Sequence, residues 1–169
     1  MKKQGMLALI AVVGVLASFA AIALKAETKS EPAPTANTAE ALPVVQVYKS
    51  ASCGCCKDWV KHLEANGFSV QAHDVDNMLS YKEKAKLGAG VGCCHTAFEN
   101  GYAIEGHVPA RDIKRLLLEK PDVSGLTVPG MPTGSPGMEV EGKPADAYQV
   151  LTYKDGKEVG VFADYPAGK

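Results

Sequence analysis

The chain has 169 residues, 46% of them hydrophobic, and a formal net charge of −1 from 18 basic and 19 acidic residues. That length allows one domain with extensions, and the charge balance excludes the basic surface that a nucleic-acid binder needs. The five cysteines are an odd number, so pairing alone leaves one thiol over.

Lys2 and Lys3 precede an apolar run over residues 6–24. The run is longer than a signal core of about 7–15 residues and falls at the short end of spanning helices of about 17–25. It predicts a signal peptide or membrane anchor over residues 1–25 and places the rest of the chain in the periplasm of a bacterial envelope. An uncleaved anchor at residues 6–24 is the competing reading, and this segment is the chain's one expected contact with a membrane. Export puts the thiols in an oxidising compartment, where they pair or are held by metal. Residues 26–42, with Pro32 and Pro34 and no apolar period, predict a disordered linker.

From there the pattern predicts a core over residues 43–121 and an extension packed on it over 122–169. A buried strand is expected at 44–48. A helix over 57–66 follows, with Cys56, Trp59, Val60 and Leu63 on one face and Gly67 as its stop. Phe68, Val70 and Ala72 alternate as a second strand. A helix over 78–87 ends at Gly88. Next come Cys93-Cys94-His95-Thr96 and a hairpin, 96–99 and 102–105, around Asn100-Gly101, a dipeptide suited to a type I′ turn. Pro109 opens a third helix with Ile113, Leu116 and Leu117 as its buried stripe, and Pro121 stops it. Residues 128–138 are rich in Pro and Gly and read as a loop or lid. Residues 148–153 and 158–162 read as a second hairpin around Asp155-Gly156.

The predicted fold is therefore α/β: a thioredoxin/glutaredoxin-like βαβαββα core with a C-terminal Pro/Gly-rich loop and β-hairpin. In such a core Cys53-Gly54-Cys55-Cys56 follows strand one, at the start of a helix. Cys94-His95-Thr96 occupies the facing loop. Redox enzymes of this type carry a proline in that loop, and this chain has none there.

A helix N-terminus favours thiolate over thiol. Thiolates at Cys53, Cys55, Cys56 and Cys94, with His95, converge from two loops as a candidate metal site. Thiolate and thioether donors select Cu(I), whereas a tetrahedral Cys/His set selects Zn(II). Met131 and Met138, in the Pro/Gly-rich loop, lean the set towards Cu(I). The vicinal Cys55-Cys56 pair favours a low-coordinate or multinuclear site. A plain Cys53–Cys56 disulfide is the bland alternative, and methionines more often fill gaps than ligate. Cys93 is the least convincing ligand, since adjacent side chains diverge on a strand. His62 and His73 read as surface residues, and His107 as a structural polar contact.

Tyr48-Lys49-Ser50 before the cysteine cluster, Cys94-His95-Thr96-Ala97, Gly106-His107-Val108-Pro109, Val128-Pro129-Gly130-Met131-Pro132 and Gly134-Ser135-Pro136-Gly137-Met138 occur in that order. In this the chain resembles the small exported bacterial proteins grouped as domain of unknown function 411, over residues 44–162. The resemblance implies metal binding and a part in handling copper or another heavy metal. The expected function is that of a Cu(I) chaperone or buffer in metal homeostasis or resistance, with the metal ion and another periplasmic metal-handling protein as partners. Two alternatives stand beside it: a thiol–disulfide oxidoreductase using Cys53 and Cys56, and a structural zinc domain.

Overall fold

The structure is a computed structural model that describes residues 44–88 and 92–168. The expected N-terminal signal or anchor and the linker lie outside the described residues. The elements are β1 (Val44–Lys49), α1 (Gly54–Ala65), β2 (Ser69–Asp74), α2 (Leu79–Lys84), β3 (His95–Glu99), β4 (Tyr102–Glu105), α3 (Ala110–Glu119), β5 (Gly125–Thr127), β6 (Tyr148–Lys154) and β7 (Lys157–Tyr165). The architecture is mixed α/β, as the sequence pattern predicts. All seven described strands form one sheet in the order β2-β1-β3-β4-β5-β6-β7. β1 runs parallel to β2 and antiparallel to β3, and β4 runs parallel to β5; the remaining neighbours are antiparallel.

Alternation sorts the sheet into two faces. Val45 and Val47 of β1, Ala97 of β3, Ile104 of β4 and Leu126 of β5 share one core with Trp59 and Leu63 of α1 and Ile113 and Leu116 of α3. On the strands, Phe98 and Ala103 alternate with these and join a smaller cluster with Ala85, Leu87 and Tyr153. The Asn100-Gly101 turn has positive φ at both positions, 46° and 86°, which a type I′ turn requires.

Three helix boundaries and one strand depart from the sequence expectation in ways that bear on the site, and β7 runs to Tyr165, beyond its expected end at 162. α1 begins at Gly54, three residues before the first strong helix former; Cys53 stands at the N-cap position at φ −75° and ψ 98°, with no side-chain cap hydrogen bond. α2 covers six residues: Lys86 turns left-handed at φ 54° and ends the run. α3 has Pro109 as its N-cap residue and ends at Lys120 in the αL conformation, ahead of Pro121. β5 lies in a stretch that carries no strand pattern. A Cβ at Gly125 would stand 1.8 Å from the Ala103 carbonyl oxygen, so glycine is what lets β5 pair with β4.

His62 also departs from its surface reading. Its Nε2 accepts the Ala110 N–H at 3.0 Å, which occupies one of the donors left free at the start of α3. His73 is half-buried against Tyr48, with ring centroids 4.9 Å apart.

Candidate metal centre

The cysteine site forms where β1 gives way to α1. The Cys53 N–H donates to the Ser50 carbonyl at 3.1 Å, which closes the turn. Cys55 and Cys56 then fall in the first turn of α1, which contains no acidic residue. Unpaired N–H groups at that end favour thiolate. Cys56 is fully buried, and Cys53 and Cys55 are half-buried.

The second arm comes from the residues just before β3. Cys94 Sγ lies 3.2 Å from Cys56 Sγ and 4.0 Å from Cys55 Sγ, and Cys53 and Cys55 sulfurs are 3.6 Å apart. Sulfurs of Cys53, Cys55, Cys56 and Cys94 all fall within 4.8 Å of one another. Cys53 and Cys56 form a disulfide, while Cys55, Cys93 and Cys94 are free thiols. The disulfide leaves Cys55 and Cys94 as the available sulfurs of this group; reduction by two electrons would supply the other two.

A second group shares Cys94. Cys93, Cys94 and His107 also place one donor atom each within 4.8 Å of one another. Cys93 Sγ is 3.7 Å from Cys94 Sγ, and Cys94 Sγ is 3.7 Å from His107 Nε2. The Nδ1–H of His107 donates to the Pro136 carbonyl at 2.7 Å. A carbonyl only accepts, so this bond fixes the tautomer and leaves the Nε2 lone pair facing Cys94. Metal-binding histidines are oriented by a bond of this kind. Burial lowers the His107 pKa, which keeps the ring neutral and able to ligate.

Cys93 and Cys94 titrate as a pair. The thiol–thiol hydrogen bond between them holds the Cys93 pKa down to about 7 and, with burial, raises that of Cys94. His95 is fully buried and stacks on Trp59 with ring centroids 4.3 Å apart. Its Nδ1 is 3.7 Å from Cys94 Sγ. Burial first, then the neighbouring His107 and Lys82, pushes its pKa down to about 3, so the ring is neutral.

The Pro/Gly-rich loop closes on this site. Ser135 is fully buried, its hydroxyl donates to the Pro132 carbonyl at 2.7 Å, and the Met138 N–H donates to the Ser135 carbonyl at 2.7 Å. A Cβ at Gly137 would stand 2.7 Å from Trp59 N and 2.8 Å from the Cys55 carbonyl oxygen. The loop backbone therefore lies directly on the first two turns of α1. Met138 is half-buried beside this contact, whereas Met131 is 44% exposed at φ 61°.

The structure thus adds two candidate donors that the sequence reading set aside, Cys93 as the least convincing ligand and His107 as a structural polar contact. The signal for His107 was its place in Gly106-His107-Val108-Pro109, directly after a strand that pairs with the one carrying His95. Cys93 carries no comparable signal.

A family model described as a protein of unknown function, DUF411, matches residues 91–138. Two solved structures of a copper resistance protein CopG share the fold. Form 1 is 46% identical, with 74% of this chain and 98% of that chain covered and a TM-score of 0.69. The chain belongs to the DUF411 family. Form 2 is 47% identical over 74% of this chain and 99% of that one, with a TM-score of 0.68. A comparison with curated proteins finds no match. The family model covers Cys93, Cys94, His107 and the 132–138 loop, and the Cys53–Cys56 arm lies before its first matched residue.

Proposed function

We propose that this DUF411 protein binds Cu(I) as its cargo, outside the cytoplasm, as a chaperone or buffer in copper homeostasis or resistance. The convergence of the Cys53, Cys55, Cys56 and Cys94 sulfurs from two separate segments within 4.8 Å carries the reading. Such sulfur density suits a soft monovalent ion, and His107 Nε2 adds a neutral nitrogen at its edge. The likeness to copper resistance proteins points to copper among the soft ions. His95, Met131 and Met138 complete the proposed set as flanking groups. Delivery to a second periplasmic metal-handling protein belongs to the same reading.

The Cys53–Cys56 disulfide favours a second reading, thiol–disulfide exchange with Cys53 as the nucleophile, which rests on a thioredoxin-like core. Zn(II) in a tetrahedral thiolate set is the alternative metal. Anaerobic titration of the reduced chain with Cu(I), Zn(II) and Ag(I), each against a competing chelator, separates these. Cu(I) is expected to bind more tightly than Zn(II), and Cys53→Ser with Cys56→Ser to weaken Cu(I) by at least about tenfold. Unchanged Cu(I) affinity in that variant would overturn the four-sulfur reading of the site. Reductase activity with a mixed disulfide trapped by Cys56→Ser would establish the exchange reading. Export is checked by fractionating cells that carry the full chain.

A further inference from the structure

The two cysteine arms are held differently. Cys53, Cys55 and Cys56 are fixed by the helix they start. Cys93 and Cys94 precede a strand, and their N-terminal side is a glycine-containing segment. Something must set the depth at which this second arm sits.

Glu105, the last residue of β4, is fully buried. Its Oε1 accepts the Cys93 backbone N–H and a 2.6 Å bond from Lys82 Nζ; its Oε2 accepts the Thr96 hydroxyl at 2.8 Å. Thr96 is its direct cross-strand partner. Lys82 is the charge that allows the carboxylate to be buried, and its side chain keeps 24% exposure to solvent. A Cβ at Gly106 would meet the Val128 carbonyl oxygen at 2.4 Å and Cys93 Cβ at 3.5 Å, so the chain after β4 also packs on Cys93.

We propose that Glu105 is a positioning residue for the metal centre: by accepting the Cys93 N–H it fixes the Cys93-Cys94 arm against the Cys55-Cys56 arm. This rests on the reading of the two arms as one site. A plain buried ion pair would need only Lys82. The additional bond to a backbone N–H next to Cys94, from the residue opposite Thr96, ties sheet geometry to sulfur position. Glu105 itself touches no sulfur in this role.

The test uses the full chain, reduced and anaerobic, with two variants. Glu105→Met keeps the volume and removes the acceptor, and the partly exposed Lys82 can turn its ammonium to water. Glu105→Gln keeps an acceptor for the Cys93 N–H. The first readout needs no metal: a thiol-bridging reagent, followed by peptide mapping, gives the fraction of Cys94 joined to Cys55 or Cys56. The second is Cu(I) affinity against a chelator. E105M is expected to lower cross-arm bridging and weaken Cu(I) about tenfold, the effect of losing one hydrogen bond of about 1.4 kcal/mol, whereas E105Q stays within about threefold of wild type. In a Cys94→Ser background E105M should have no further effect on Cu(I). If E105M does not fold, Lys82→Met with E105M, which removes the stranded cation as well, carries the same comparison.

Wild-type bridging and affinity in E105M overturn the proposal. So does equal loss in E105M and E105Q, because a structural role would not distinguish them. Reduced bridging in E105M, in a chain whose wild type fails to bind Cu(I), leaves the positioning role standing and removes the copper reading.

Discussion

Glu105 and Glu99 are both carboxylates buried in the sheet, and only the first has donors around it. Glu99 is 2% exposed, and neither of its side-chain oxygens has a hydrogen-bond partner among the described residues. Burial pushes its pKa up from 4.5 to about 7. The folded chain therefore keeps a proton that the unfolded chain releases. Stability from this group is full below about pH 4.5, falls as the pH rises through about 7, and is flat above that. Glu99→Gln stays neutral throughout. It is expected to raise unfolding free energy by about 1–3 kcal/mol at pH 8 and to give no gain at pH 4. Urea unfolding at the two pH values checks this; an equal gain at both would mean that Glu99 is neutral throughout or hydrated.

At the scale of elements, the 132–138 loop is seated on the first two turns of α1. Gly137 sits at φ +80°, and the atoms a Cβ would meet, Trp59 N and the Cys55 carbonyl oxygen, are backbone and cannot swing aside. Gly137→Ala should push the loop off the helix and, with it, the Pro136 carbonyl that orients His107. Gly142 is the control: its φ is +75° and nothing lies within 4 Å of an added Cβ. Gly142→Ala pays only the left-handed backbone cost of about 1–2 kcal/mol, whereas Gly137→Ala adds an overpacking cost of about 1–3 kcal/mol. Thermal unfolding and Cu(I) competition on both variants measure the difference, and only Gly137→Ala should weaken Cu(I). Equal affinities would show that the loop merely covers the site.

The same contact shows what could be read from sequence. Strands with alternating or continuous apolar residues, the Asn-Gly turn and the stripe of α3 were legible because one local pattern determines each. The start of α1 was not, since Gly-Cys-Cys has poor helix propensity and no side-chain cap bond at Cys53 marks where the helix begins. β5 was not, because three residues carry no period and their pairing is decided by a close approach to Ala103. Cys94 could be set opposite Cys53–Cys56 only through the expected strand order. His107 joins through a carbonyl 29 residues further on, and no local pattern encodes that bond.

For the whole molecule, the proposed function makes the oxidation state of Cys53 and Cys56 a link between stability and metal. The disulfide closes a loop with a sequence separation of only 3. A crosslink that short removes little unfolded-state entropy, about 2 kcal/mol on the chain-entropy account. Most of the chain's stability lies instead in the shared core beneath α1 and α3. Reduction should therefore lower stability modestly and leave the fold intact. It also frees two sulfurs beside Cys55 and Cys94. A ligand at about 1,000 times its Kd adds about 4 kcal/mol to the folded state, more than reduction removes. In thermal unfolding without oxygen, the reduced chain should melt a few degrees below the oxidised one, and Cu(I) should then raise its Tm by roughly 10 °C or more. The oxidised chain, with Cys53 and Cys56 joined, should shift by less than half as much. Cys53→Ser with Cys56→Ser separates crosslink from ligand: it should melt near the reduced wild type and respond to Cu(I) like the oxidised one. Equal Cu(I) shifts in oxidised and reduced wild type would show that Cys53 and Cys56 are not donors, and would confine the metal to Cys55, Cys93, Cys94 and His107.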